Sequence, residues 1–333
     1  MKVSIVIPVY NVAEYIVACL ESVTSQTYQG AMECLLIDDC GKDDSMETAR
    51  DFVEKYRGNI DFRMIHHRNN RGLSASRNTG IRESTGDYVY FLDSDDAITP
   101  RCIEQIVAVL SEHPDCDMIQ AGAFATRELE PWFSMEKKMP DYADNPEWIL
   151  RTLLMRGGPH GFPVTAWNRL VRRDFLIENN LFFKEGILHE DELWGFMLAR
   201  KVRRLGICRH NTYIYRIREN SIMTNLQSND EKVYALLDVW DEMIANVGGV
   251  SKKTQIRMIW RHIDEFYPLE LSEAPRQELR KRLERLVDFR IFPVCLLIYF
   301  YLRESIADLH KKGTRRRVKR WMHTSMRFTS PRK

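Results

Sequence analysis

The chain has 333 residues, 44% of them apolar and 29% charged, with a net charge of +2. That length is too great for one small domain and suits a large catalytic core with an appendage, in a composition ordinary for a soluble globular protein. The seven cysteines are odd in number and form no C-x-x-C pair, which argues against a disulfide scaffold or a zinc site and for a reducing compartment.

The amino-terminal run Val3-Ser4-Ile5-Val6-Ile7 reads as a strand, broken by Pro8, and lacks the apolar core of a secretory signal. Asn11, with Glu14 three residues on, has the pattern of an N-cap opening a helix that buries Tyr15, Ile16, Cys19, Leu20 and Val23. Cys34-Leu35-Leu36-Ile37 is the next strand. Asp44 with Glu47 is expected to cap a helix over 45–56. A strand near Phe62 to His66 follows, in which His66 and His67 are expected to end the strand and bind nothing. A loop rich in Asn, Arg and Gly leads to a helix over 74–83, then to the strand Tyr88-Val89-Tyr90-Phe91-Leu92. Pro100 starts a helix running to about His113, and 116–120 is one more strand.

This strand-helix alternation predicts an α/β fold with a mostly parallel central sheet flanked by helices. Ligands bind such sheets at the carboxyl ends of the strands. The polar clusters Tyr10-Asn11, Asp38-Asp39 and Asp93-Ser94-Asp95-Asp96 fall there. No G-x-G-x-x-G follows the first strand, which disfavours a dinucleotide fold of the NAD type.

The acids at 93–96 carry the sharpest signal. A strand ending in Asp-x-Asp projects two carboxylates to one side, where they suit a hard divalent cation with room left for phosphate oxygens. Downstream, helices are expected over 146–155, 173–179 and 190–202, a Gly/Pro-rich loop over 157–163, and strands over 206–208 and 212–215. Beyond Gln227 the pattern is of three or four amphipathic helices to about residue 310. The tail over 311–333 holds ten Lys or Arg and no acid.

Five motifs occur together and in order: Ile5-Val6-Ile7-Pro8-Val9-Tyr10-Asn11; Leu36-Ile37-Asp38-Asp39 with Asp43-Asp44-Ser45; Asn70-Arg71-Gly72-Leu73-Ser74-Ala75-Ser76-Arg77-Asn78-Thr79-Gly80; Gly86-Asp87-Tyr88 leading into Asp93-Ser94-Asp95-Asp96; and Glu190-Asp191. Over residues 1 to about 225 the chain resembles the family-2 inverting glycosyltransferases, which have the GT-A fold. The resemblance implies a GT-A domain over 1–225, with a nucleotide-binding half (1–120) and an acceptor half (121–225), followed by a helical extension (226–310) and the basic tail.

The resemblance also implies roles. Pro8, Val9 and Tyr10 would line the nucleobase pocket. One of Asp38 and Asp39 would accept the imide N–H of uracil, which adenine and cytosine do not offer. Arg77 would approach the diphosphate or the sugar, since its fork pairs with oxyanions. Asp93, beside Ser94, would hold the sugar or ribose and share with Asp95 in binding Mn²⁺ or Mg²⁺ across the two phosphates. Asp96 is read as a helix cap. Asp191 is the candidate general base, with Glu190 orienting or contacting the acceptor. Acids in a first helical turn also simply favour the helix dipole; the upstream motifs tip the balance towards chemistry. Arg216 and Ser221 belong to a loop expected to close over the diphosphate, and His210 is a candidate to reach the metal. Trp167-Asn168-Arg169-Leu170 fits the acceptor side.

In the last third, the apolar run from Phe289 to Leu302 precedes the basic tail. Its longest uninterrupted apolar reach falls well short of the roughly 20 residues of a spanning helix. Peripheral contact of 289–333 with an anionic inner-leaflet surface, and packing on the catalytic domain, fit it equally. Nucleic acid is disfavoured for want of a reading module. The extension is also compatible with an oligomer.

The expected activity is transfer of a sugar from a UDP-sugar donor to a hydroxyl of a glycan or lipid-linked acceptor, in polysaccharide biosynthesis, in the cytoplasm or on the inner face of the membrane. Rival readings are a sugar-phosphate nucleotidyltransferase, for which Pro8-Val9-Tyr10-Asn11 supplies no Gly-rich triphosphate loop, and a non-catalytic UDP-sugar-binding protein of the same fold.

Overall fold

The apolar stretch after Met1 forms β1 (Lys2–Val9), and its neighbours β2 (Ala31–Asp38) and β4 (Tyr88–Phe91) pair with it in parallel on either side. Val6 of β1 packs in one hydrophobic cluster, with Leu35, Ile37, Val89 and Phe91. Ile5 and Ile7 pack in another, with Cys34, Leu36, Tyr88 and Tyr90. Continuous apolar runs are required here because this part of the sheet is covered on both faces. The computed structural model describes residues 1–125, 130–133, 139–154, 162, 165–217, 229–251, 254, 272–275, 277–278 and 281–282.

The remaining strands are β3 (Asp61–His66), β5 (Ala97–Ile98), β6 (Met118–Ala125), β7 (Glu130–Phe133), β8 (Tyr142–Ala143), β9 (Arg169–Arg172) and β10 (Leu205–Tyr215). The sheet runs β3-β2-β1-β4-β9-β6-β10-β5, with β7 on β6 and β8 on β10. The helices are α1 (Ile16–Thr24), α2 (Ser45–Lys55), α3 (Leu73–Glu83), α4 (Cys102–Glu112), α5 (Pro146–Leu154), α6 (Arg173–Glu178), α7 (Glu190–Lys201) and α8 (Asn229–Ala245). The expected α/β architecture is present. The block β3-β2-β1-β4 is parallel throughout, and β9 enters antiparallel to both β4 and β6, so the sheet as a whole is mixed.

Several local expectations need correction. Asn11 takes a left-handed φ of 52° instead of capping a helix, and its Oδ1 accepts the Lys42 backbone N–H at 2.7 Å. Asp44 makes no side-chain cap. Its neighbour Asp43 accepts from the N–H of Ser45, the first residue of α2, and from Ala13 N in the loop after β1. The two strands read at 206–208 and 212–215 are one bulged strand, β10. Trp167 is core, stacked on Tyr213 with centroids 4.2 Å apart, not part of an acceptor surface.

Two packing details position the functional residues. A Cβ on Gly80 would lie 2.1 Å from Val6 Cγ1, so glycine is what lets α3 lie directly against β1. Asn78, earlier on α3, donates to Phe183 O (2.8 Å) and accepts from Phe183 N (2.7 Å), tying the segment before α7 to the same helix.

The chain divides into two compact units, Met1–Glu270 and Leu271–Lys333. The expected boundary near residue 225 falls outside the described residues. In the second unit, Gln277 bonds Glu273 and Arg282 bonds Glu278, each one helical turn away. Among the described residues no helix is long and apolar enough to cross a membrane.

Candidate active site

The parallel strands deliver their ends to one edge of the sheet. Val9 at the end of β1 is in register with Asp38 at the end of β2, and the Asp93 loop follows β4 directly. Pro8 and Val9 are buried, whereas Tyr10 is 45% exposed. Of these three side chains only Tyr10 offers open surface to a ligand.

The two aspartates after β2 differ sharply. Asp39 is buried, with each carboxylate oxygen bonded to a loop amide: Oδ1 accepts from Arg71 N (2.8 Å) and Oδ2 from Gly72 N (2.7 Å). His67 Nδ1 adds a third contact at 2.7 Å, and Asn70 donates to the Asp39 carbonyl. Asp39 therefore shapes the loop that launches α3. Asp38 is partly exposed, taking Cys40 N at 3.0 Å and His66 Nδ1 at 2.8 Å. His66 ends β3, and both histidines pair with these acids.

The loop after β4 holds Asp93, Ser94, Asp95 and Asp96. Asp96 does not cap a helix. It is buried, its Oδ2 accepting from the Tyr213 hydroxyl at 2.6 Å and its Oδ1 from Arg216 N at 2.7 Å. Burial, then the charges of Asp93 and Asp95, push its carboxyl well above the ordinary range. Arg216 Nε donates to the Asp95 carbonyl at 2.9 Å, and its guanidinium lies 5.3 Å from the Tyr15 ring centroid. Ser94 is buried and Asp95 half-buried. Ser221 and residues 289–333 lie outside the described residues.

Arg77 on α3 joins this loop to α7. It is 3% exposed, with Nη2 2.9 Å from Asp93 Oδ1 and Nη1 2.7 Å from Glu190 Oε1. Both Nη atoms thereby meet protein acids, at the residue expected to approach the diphosphate or the sugar. Burial works against the cation, but Asp93, Glu190 and Asp191 outweigh it and hold Arg77 firmly charged. Burial pushes the Asp93 carboxyl up, and Arg77 offsets this only in part, with Asp95 adding repulsion. Burial and the adjoining Asp191 likewise raise Glu190 against the pull of Arg77.

Glu190 and Asp191 open α7, whose later residues Leu193, Trp194, Phe196 and Leu198 are buried. His189 before them has a left-handed φ of 58°, which turns the chain into the helix. Sequence reasoning placed Arg169 on the acceptor side without marking it as a buried cation near Asp191. It is 1% exposed, donates from Nε to Gln120 at 2.8 Å, and is lowered by burial to about 10 with Asp191 opposing. An Arg at the edge of a four-residue strand carries no sequence mark of burial. His210 is exposed on the bulged stretch of β10.

No cluster of three or more His, Cys, Asp or Glu among the described residues is gathered as a complete metal site. The chemistry of the donor set still fits a hard cation. Asp93 and Asp95 are partly accessible, repel each other, and would leave most coordination positions to a diphosphate and water.

A mixed α/β sheet with acids gathered at the ends of its parallel strands is the GT-A class of nucleotide-sugar scaffold. The family model described as Glycosyl transferase family 2 matches residues 4–178, and the chain belongs to that family. It is 31% identical over 226 residues to the uncharacterized glycosyltransferase YibD of Escherichia coli K12, a match covering 66% of this chain and 63% of YibD, less than two thirds of that relative's length. The fold is shared with Staphylococcus aureus TarS 1–349 in complex with UDP-GlcNAc, at a TM-score of 0.63 and 22% identity, over 80% of this chain and 72% of that one. It is also shared with the mannosyltransferase PcManGT of Pyrobaculum calidifontis in complex with GDP-Man and Mn²⁺, at a TM-score of 0.56 and 15% identity, over 95% and 83% of the two chains.

Proposed function

We infer that this chain transfers a sugar from a UDP-sugar to a hydroxyl of a glycan or lipid-linked acceptor, with inversion at the anomeric carbon, in building a polysaccharide. The observation that carries this reading is the Arg77 bridge, which brings Asp93 and Glu190, remote in sequence, within one guanidinium of each other. An acid loop after β4 and the acid pair opening α7 then belong to a single site.

In this reading Asp38 accepts the uracil imide, because Asp39 is spent on the Arg71 and Gly72 amides. The ring of Tyr10 gives the base an apolar surface. Asp93 and Asp95 would hold Mn²⁺ or Mg²⁺, which when bound offsets charge on the diphosphate. Asp191 takes the proton of the acceptor hydroxyl. That oxygen bonds to the anomeric carbon as the carbon–phosphate-oxygen bond breaks, and its electron pair leaves with UDP. Arg216 and Ser221 steady the diphosphate from the segment after β10. One carboxylate base suffices for such a single displacement. The UDP-GlcNAc bound by TarS and the Mn²⁺ bound by PcManGT favour the same donor class and metal. The GT-A domain ends near residue 225 in this reading, and the site of action is the cytoplasm or the inner face of the membrane.

The test is UDP release from a panel of UDP-sugars with Mn²⁺, followed by an acceptor screen with the active donor. Turnover of one UDP-sugar over GDP- and ADP-sugars is expected, and Asp38→Ala should weaken UDP binding about tenfold or more, the worth of one charge-assisted hydrogen bond. UDP affinity unchanged in Asp38→Ala would remove the base-reading role.

A further inference from the structure

Arg77 sits where three elements meet, and its surroundings are more organised than an oxyanion-binding role needs. The guanidinium lies 5.3 Å from the centroid of the Phe183 ring. Phe183 stacks on Trp194 of α7 at 4.6 Å, and Phe91, the last residue of β4, meets both rings edge-on at 5.5 and 5.8 Å. Asn78, the next residue of α3, pins the Phe183 backbone through both its N–H and its C=O. The Arg77 Nε is buried without a hydrogen-bond partner. Such a group is tolerated because the two Nη atoms already meet carboxylates on separate elements, Asp93 past β4 and Glu190 at the start of α7. Packing and ion pairing thus fix the same three bodies: α3, the end of β4 and the first turn of α7.

We propose that Arg77 is a positioning residue which, by gripping Asp93 and Glu190 at once, sets the separation between the donor-side acid loop and the α7 turn that presents Asp191. This rests on the sugar-transfer reading above. A guanidinium can do this because its planar fork presents two N–H edges to two acceptors in fixed geometry. A lysine ammonium is a point charge on a shorter stem and cannot hold both carboxylates in that arrangement. If the acid at 191 is displaced by about 1 Å from the attacking hydroxyl, the loss is of the order of a hundredfold in rate. Donor affinity, set by Asp38, Tyr10 and the diphosphate contacts, should change little.

The experiment uses the full chain and a thermodynamic cycle: Arg77→Met, Glu190→Gln and the double variant, with Arg77→Lys alongside. Saturated turnover, KM for the active UDP-sugar, UDP affinity by calorimetry with Mn²⁺ and melting temperature are read for each. Expected is a fall of about 30- to 100-fold in kcat for each single variant, with KM and UDP affinity within about threefold of wild type. The double variant should be no worse than the poorer single within about threefold, since the second change removes an interaction already lost. Arg77→Lys should not rescue turnover. A merely structural role would move melting temperature and leave the two effects on kcat to multiply.

Three results overturn the proposal: independent, multiplying losses in kcat; wild-type turnover in Arg77→Lys; or UDP affinity falling tenfold or more with saturated turnover intact, which would make Arg77 a diphosphate contact. Should Arg77→Met fail to fold, Glu190→Gln and Arg77→Lys decide the matter, because both keep the packing volume of the site. A wild-type chain that releases UDP from no sugar nucleotide removes the sugar-transfer reading and this proposal with it. A wild-type enzyme that turns over while its variants match it removes this proposal alone.

Discussion

Two acid clusters lie at opposite ends of the same parallel strands, and they are built in opposite ways. At the start of β2, Glu33 is fully buried and every neighbour is a donor: Ser4 Oγ at 2.5 Å, Thr85 N at 2.6 Å, Thr85 Oγ1 at 2.8 Å and Lys2 Nζ at 3.0 Å. Burial by itself would push this carboxyl up, yet those hydrogen bonds outweigh it and hold Glu33 at about 2. At the other end, Asp96 is buried beside Asp93 and Asp95, half-buried Glu190 adjoins Asp191, and Asp93, Asp96 and Glu190 are all pushed up. One cluster binds its charge and stabilises the sheet. The other crowds like charges around too few donors, which is tolerable where a cation and a ligand complete the set. Burial of an acid is thus uninformative until its partners are counted.

The sharpest way to break this contrast is to remove one acid from each cluster. In Asp191→Asn we expect turnover to drop about 10²- to 10⁴-fold, the usual share of a general base, while UDP still binds. Melting temperature should shift far less than turnover, since the change keeps the side-chain volume at the first turn of α7. Wild-type-like turnover in steady-state kinetics would take the base assignment away from Asp191.

Glu33→Gln should do the reverse. A carboxyl held at about 2, against an ordinary 4.5, contributes about 3 kcal/mol to folding at pH 7 by linkage. Because the folded value is depressed, that contribution is present above about 4.5 and is lost as pH falls through about 2. Urea denaturation should therefore show a gap between wild type and variant that is full at neutral pH and closes on acidification, with kcat unchanged. A gap independent of pH would mean that Glu33 acts through packing and not through its charge.

The same contrast explains what the sequence could and could not disclose. The strands β1, β2 and β4 are legible because uninterrupted apolar runs serve a sheet covered on both faces. The acid motifs are legible because they stand at strand ends in a recognisable order. What the acids do there is set by contacts tens of residues away. Asp38 and Asp39 are adjacent and chemically alike, and only the positions of the Arg71 and Gly72 amides separate a loop anchor from a partly open carboxylate. Asn11 satisfies a capping pattern, but the Lys42 amide competes for its side chain. The strand Arg169–Arg172 is too short and too charged at its ends to declare itself, though it joins the parallel block to β6. The burial of Arg77 is not legible in its polar helix, because nothing local tells that Gly80 brings α3 directly against β1.

Asp96 shows that a structural element is embedded within the functional cluster, and Tyr213 tests it. The Tyr213 hydroxyl donates to Asp96 Oδ2 at 2.6 Å and accepts from Asp93 N at 3.2 Å, while its ring stacks on Trp167. Tyr213→Phe keeps the stack and deletes both bonds, leaving Asp96 with Arg216 N as its remaining described hydrogen-bond partner. An unmet buried acceptor of this kind costs about 1–2 kcal/mol, to be read as a lower melting temperature and denaturation midpoint. The Asp93 side chain stays on Arg77, so kcat should fall by less than about tenfold, the equivalent of 1.4 kcal/mol in the barrier. A loss of turnover as steep as that of Asp191→Asn would instead make Asp96 part of the reacting set, and the division between charge that stabilises and charge that works would have to be drawn through the loop differently.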